Sequence, residues 1–332
     1  MLEFSIIHAD DRRSRLERWL AVELRGARFA LTPASEDASF RRYFRATLVD
    51  GRSFVIMDAP PDKEDCRPFV HVARLLHEAG VHAPQVHAAD LAAGFLLLSD
   101  LGTRTYLAEL NAGDADRLMR DATDALVRWQ LATRAKALPP YDEALLRREM
   151  KLFAEWYVGR HRGLTLGAAQ AQTLEQIFAT LVKSALAQPT VYVHRDYMPR
   201  NLMVSEPNPG VLDFQDAVLG PISYDMVSLV RDAFISWEEE RVLDWSVRYW
   251  EKARAARLPV PGEFAEFWRA FEWMGLQRHL KVLGIFARIK YRDGKPKYLE
   301  DTPRFLSYAR AVAERYRELA PLARLLDEIE SS

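Results

Sequence analysis

The chain has 332 residues, 49% of them hydrophobic, and its 46 basic and 47 acidic residues leave a net charge of −1. That length sets an expectation of about two domains, and the even charge excludes the basic field of a nucleic-acid binder. One cysteine, Cys66, excludes a disulfide framework or a cysteine zinc site. Met1–Asp10 lacks the basic start and apolar core of a signal peptide, and no run of about 18 apolar residues spans a bilayer, so a cytoplasmic protein without a membrane partner is expected.

From the start of the chain, Asp10 or Asp11 is placed to cap a helix whose apolar face is Leu16, Trp19, Leu20 and Leu24. Phe40, Arg42 and Phe44 then alternate with Arg41, Tyr43 and Arg45, which is strand periodicity. It puts Arg42 on an inward face with Phe40 and Phe44. Asp50-Gly51 turns the chain into a return strand, Ser53–Met57, ended by Pro60 and Pro61. Phe69 to Ala79 reads as a helix buried through Phe69, Val72, Ala73 and Leu76, and Val86–Leu91 and Phe95–Leu98 read as strands. The stretch Leu96–Gly102, an apolar strand opening into a glycine, reads as a hinge. Beyond it the pattern is helical: a helix capped by Asp114, then Tyr141–Arg162, Leu166–Leu186, Ser223–Trp237, Glu238–Arg257, Phe264–Tyr291 and Pro303–Ile329. The expectation is an α+β, protein-kinase-like bilobal fold. Residues 1–101 form a small strand-rich lobe and residues 102–332 a larger, mainly helical one, with nucleotide bound between them.

The chemistry concentrates in Val193–Asp213, which reads V-H-R-D-Y-M-P-R-N-L-M-V, a Pro207-Asn208-Pro209-Gly210 turn, then V-L-D. A strand, Thr190–Val193, delivers a polar loop holding Asp196 and Asn201. A short hairpin then returns Asp213 beside Asn201. Two carboxylates and an amide carbonyl are hard oxygen donors, which suit Mg²⁺ rather than zinc. The order H-R-D-x-x-x-x-N, hairpin, strand-end Asp matches the kinase catalytic loop and its metal-binding acid.

Further motifs extend nearly end to end: S-E-D-A-S-F-R-R-Y-F-R (Ser35–Arg45), M-D-A-P-P (Met57–Pro61), E-D-C-R-P-F (Glu64–Phe69), L-L-L-S-D-L-G, L-D-F-Q-D-A (Leu212–Ala217), G-P-I-S-Y-D (Gly220–Asp225) and Glu272–Arg288. With these the chain resembles the aminoglycoside phosphotransferase and choline kinase superfamily of small-molecule kinases. Within it, the chain is most similar to bacterial anomeric kinases of N-acetylmuramate and N-acetylglucosamine. The resemblance implies ATP and Mg²⁺ as cofactors and an amino sugar as substrate. It makes Asp196 the catalytic acid group that orients the acceptor hydroxyl and takes its proton, and Asn201 and Asp213 the metal ligands. Ser99, Asp100 and Leu101 fall where backbone groups bind adenine, and Met203 and Leu212 where the base rests. Ser35 and Ser39 fall in the phosphate loop. His194 and Asp225 are supports of the catalytic loop. Glu149, Trp156 and Tyr157 lie where the superfamily builds its acceptor site, with Trp156 the more natural core residue. Arg278 is a fork-shaped partner for a lactyl carboxylate.

Two departures matter. The loop Ser35-Glu36-Asp37-Ala38-Ser39 has no glycine, and the strand that carries V-A-I-K in kinases reads Phe54-Val55-Ile56-Met57, with methionine in the lysine's place. Arg41 or Arg45, rather than Arg42, is then expected to reach the phosphates. A nucleotide-binding pseudokinase is the alternative class. Aminoglycoside or choline kinases are the alternatives within the superfamily, although Arg278, His279, Lys281, Arg288 and Lys290 supply positive charge where cationic acceptors would want acid.

Overall fold

The computed structural model describes residues 2–35, 40–111 and 113–331. In chain order the elements are α1 (Leu2–Glu23), β1 (Phe29–Ser35), β2 (Arg42–Leu48), β3 (Ser53–Asp58), α2 (Arg67–Glu78), β4 (Val86–Asp90) and β5 (Phe95–Ser99). Then follow α3 (Tyr106–Glu109), α4 (Ala115–Leu131), α5 (Glu143–Leu152), a π-helical stretch (Phe153–His161) and α6 (Ala168–Ala187). Next come β6 (Thr190–Val193), β7 (Leu202–Met203), β8 (Gly210–Val211) and β9 (Val218–Pro221). The chain ends in α7 (Tyr224–Val230), α8 (Glu239–Ala255), α9 (Phe264–Asp293), α10 (Thr302–Arg315) and α11 (Ala320–Ser331). Two compact units result: residues up to Arg104 together with Met203–Asp216, and Thr105–Leu202 with the chain from Ala217 onward. Among the described residues no helix is long and apolar enough to cross a membrane.

The first unit is built on an antiparallel sheet of order β1-β2-β3-β5-β4. Its register sets Phe44 opposite Ile56, and Ile56 opposite Leu97, so these three share one face. Leu16 and Leu20 of α1 bury that face with Ala46 and Phe95. The opposite face carries Tyr43, Met57 and Leu96, paired in register across β2, β3 and β5. At the end of the α1 face, Asp58 is fully buried and accepts from Arg12 Nε at 2.7 Å and Arg42 Nε at 3.0 Å. Gly94, between β4 and β5, has φ +75°, and a Cβ there would lie 1.8 Å from the Ala59 carbonyl oxygen. No other residue fits so close to the end of β3.

Two expectations are corrected in this unit. Asp10 and Asp11 sit inside α1 rather than capping it, because residues 2–9 hold no glycine or proline to stop the helix earlier. Phe40 is 64% exposed. Strand β2 begins at Arg42, so the alternation that placed Phe40 inward does not reach it.

The second unit is organised around α9, which is buried on all sides from Phe271 to Gly284 and packs on α5, the π-helical stretch, α6, α7 and α10. Gly284 makes this possible: a Cβ there would lie 2.3 Å from the backbone carbon of Leu152, the last residue of α5. Here too the helices differ from expectation. The expected helix over Ser223–Trp237 stops at Val230, where Arg231 adopts φ −119° and ψ 62°. The expected Pro303–Ile329 helix is two, α10 and α11, interrupted at 316–319. Strand β9 was not anticipated. It holds a glycine and a proline, which mask strand character, and it forms by pairing with β6, Val193 opposite Val218.

Candidate active site

The loop leaving β6 is held by a carboxylate from the start of α7. Asp225 is fully buried and accepts the backbone N–H groups of His194 at 2.7 Å and Arg195 at 3.0 Å. Burial pushes its pKa up to about 7 even though both N–H groups pull the other way. His194, also buried, accepts the Asp196 backbone N–H on Nδ1 at 3.2 Å. Asn201 donates from Nδ2 to the Asp196 carbonyl oxygen at 3.0 Å, which commits the nitrogen end of the amide and makes the oxygen end the one able to meet a cation. Tyr197 anchors the loop from below by donating to the Ala122 carbonyl at 2.7 Å. Arg195 has φ +76°, a strained value for a residue with a side chain, imposed by these contacts on both flanks.

Asp213 follows β8 with φ +60°, the second such position in the motif. Gln215 Nε2 donates to its Oδ1 at 3.0 Å, and Arg41 Nη2 lies 3.8 Å from the same oxygen. In the same unit the hairpin is tied to the segment after β5 by Val204 N–H to the Arg104 carbonyl, and to the loop before β4 by Val211 N–H to the His82 carbonyl, both at 2.8 Å. Met203 is buried and Leu212 half-buried on this hairpin. At Gly210 a Cβ would meet Leu101 Cδ1 and Ser205 Oγ at 2.8 Å each, so any other residue there would make those two side chains shift.

Ser99 pairs with Gln85 through its backbone and its hydroxyl. Asp100 accepts Arg45 in a fork at 2.6 and 3.0 Å and also the Gly102 N–H at 2.9 Å. Burial opposes ionisation of Asp100, but Arg45 and these donors hold its pKa below the usual carboxylate range. A cavity of about 680 Å³ in this unit is lined by Ser99, Asp100 and Leu101 with His82, Ser205 and Glu206, the last three absent from the sequence reading. Met203 and Leu212 are not among its walls. Ser35 ends β1 with its side chain outside the described residues, and Ser39 lies outside them altogether.

Residues 30–266 match the phosphotransferase enzyme family. The chain belongs to that family. An N-acetylmuramate/N-acetylglucosamine kinase of Pseudomonas putida is 59% identical over 302 residues, 91% of this chain and 89% of the relative. Another, from Neisseria meningitidis serogroup B, is 53% identical over 322 residues and 96% of each chain. Among solved structures, the streptomycin–ATP–APH(2'')-IIa ternary complex is similar at a TM-score of 0.60 over 88% of this chain and 95% of that one. At 15% identity it speaks for the fold alone.

In this phosphotransferase the residues expected around the acceptor are interior ones. Glu149 is buried, accepts from Tyr141 and Arg195, and lies 3.0 Å from Lys281 Nζ, which also donates to Tyr224 at 3.1 Å. Burial would raise the Glu149 pKa, but the two cations pull it down to about 2. The network thus ties α5 and α9 to Arg195 of the catalytic loop. Lys281 is one of the basic residues expected to supply positive charge near the acceptor. It is buried, as are Arg278 and His279, because α9 has no solvent face there. Arg278 is 2% exposed, and its charge acts on the buried Asp225 and Asp232. Tyr157, not Trp156, is the core residue: Tyr157 is 2% exposed and donates to Glu330 at 2.9 Å, while Trp156 is half-buried. The wider turn of the π-helical stretch rotates the faces that an α-helical spacing assigned.

Proposed function

We propose that the protein phosphorylates N-acetylmuramate and N-acetylglucosamine on the anomeric hydroxyl, with ATP as donor and Mg²⁺ as the metal, in the cytoplasm. The observation that carries this reading is the 59% identity, over 91% of the chain, to a relative with that pair of substrates in its name. The donor set fits the metal: a carboxylate, Asp213, and the oxygen end of an amide, Asn201, are hard ligands of the kind Mg²⁺ takes while leaving places for water and phosphate oxygens. When bound, Mg²⁺ would neutralise charge on the phosphates of the donor.

Asp196 is the group to orient the sugar hydroxyl and accept its proton as the phosphoryl group arrives. Its loop cannot drift, since Asp225, His194 and Asn201 fix the backbone on either side of it. An anomeric hydroxyl is more acidic than other sugar hydroxyls because the ring oxygen withdraws electrons. Positioning and charge, rather than a strong base, then suffice in a loose transition state. The sugar 1-phosphates produced suit a nucleotidyltransferase reaction next, and so recycling of cell-wall sugars. Phosphorus NMR of the product from each sugar tests the proposal: a sugar 1-phosphate is expected. A 6-phosphate, or turnover only with choline or an aminoglycoside, would overturn it.

A further inference from the structure

Kinases with a V-A-I-K strand project its lysine onto the donor phosphates and pair it with a glutamate from the next helix. Here Met57 stands at that position, 1% exposed, on the sheet face opposite α1. An uncharged thioether side chain there offers a phosphate no positive charge, so the charge must come from a neighbour. The cross-strand partner of Met57 is Tyr43, and Arg41 stands two residues before Tyr43, just ahead of the start of β2.

Three arginines crowd this segment, and their partners separate them. Arg42 lies on the α1 face and closes onto the buried Asp58. Arg45 shares the Met57 face but is spent on the hinge, with its fork on Asp100 and a further bond to the Gly102 carbonyl at 2.9 Å. Arg41 is directed at the opposite end of the face. Its side chain is 11% exposed and its Nη2 lies 3.8 Å from Asp213 Oδ1, an electrostatic rather than a hydrogen-bonding distance. Burial works against its charge, yet Tyr43, Asp213, Glu64 and Asp216 together hold its pKa above the ordinary value. Glu64 is half-buried in the turn between β3 and α2, close to where the partner glutamate of the usual pair would come from.

The geometry points to Arg41 as the phosphate-binding cation of this enzyme: the positive charge that other kinases carry on β3 is moved to the lead-in of β2. The assignment rests on ATP being the donor, as proposed above. A guanidinium suits the displaced position, because its planar fork meets two phosphate oxygens from a distance where a lysine would offer a single point of charge.

Calorimetric titration of the full-length protein with ATP and, separately, with adenosine tests it. Arg41→Ala should weaken ATP by about 10- to 100-fold and leave adenosine affinity unchanged. Arg41→Lys should recover part of the loss. The steady-state KM for ATP should follow the same order. Unchanged ATP affinity in Arg41→Ala overturns the assignment, and so does an equal loss of ATP and adenosine, which would mark a structural role. A wild-type protein that binds ATP but phosphorylates neither sugar would sink the substrate reading alone, and the two titrations would still decide Arg41.

Discussion

Asp196 reaches its place through backbone contacts made by its neighbours, so its carboxylate can be altered without disturbing the loop. Asp196→Asn keeps the shape and the Asn201 bond to the backbone carbonyl but cannot take up the acceptor's proton. Turnover should fall by about 10²–10⁴-fold while ATP affinity stays near wild type, as read by single-turnover kinetics beside nucleotide titration. Turnover close to wild type would remove Asp196 from the mechanism. This part of the site was legible because Asp196, Asn201 and Asp213 lie within one short stretch whose turn residues announce the hairpin. The network that steadies it was not legible. Glu149, Arg195 and Lys281 come from three separate parts of the chain, and only the packing of α5 and α9 brings them together. Before that packing is known, nothing links a lysine on one helix to a glutamate on another.

At the scale of elements, helices with a polar outer face were readable from periodicity: α2 lies close to its expected bounds, and α4 begins directly after Asp114, as expected. Reading failed where a neighbour, not the local sequence, sets the structure, as at β9, which forms by pairing with β6; the break between α10 and α11 falls just before Pro321, a local breaker that the single-helix expectation passed over. The same distinction governs Gly284. By propensity alone, alanine in the middle of a helix gains about 1 kcal/mol over glycine. A methyl group here, however, would have to enter the backbone of Leu152, at 2.3 Å from its carbonyl carbon and 2.5 Å from its oxygen. Backbone cannot swing aside as a side chain can, so overpacking of about 1–3 kcal/mol should win. Gly284→Ala is expected to lower the denaturant midpoint at constant slope. A midpoint at or above wild type would show that α5 and α9 can separate without cost.

Across the whole molecule, the sequence reading recovered the α+β class and the order of its parts. It could not show that Met203–Asp216 pack with the first unit, since the main-chain bonds that join Val204 and Val211 to Arg104 and His82 cross about a hundred residues of chain. Nor could it show how much charge the second unit keeps inside, which governs how stability responds to pH. Asp232 is fully buried, accepts the Ala233 N–H at 2.6 Å, and has its pKa pushed by burial up to about 6. Between the usual carboxylate value, 3.8, and about 6, the folded protein holds this proton and the unfolded chain does not. The contribution of Asp232 is therefore fully present below that window and is lost as pH rises through it, by about 3 kcal/mol in all. Glu149 acts in the opposite sense. Its pKa falls from 4.5 to about 2 on folding, so its contribution is present above 4.5 and is lost as pH drops toward 2. Together the two groups favour mildly acidic solution and penalise both limbs. Thermal unfolding of wild type, Asp232→Asn and Glu149→Gln from pH 3 to pH 7 separates them. Asp232→Asn should lessen the decline between pH 4 and pH 6 and leave the acid limb alone, the rest of the decline belonging to Asp225, whose pKa burial raises to about 7, while Glu149→Gln should flatten the acid limb only. Parallel curves for all three proteins would mean that neither buried acid changes its proton affinity on folding.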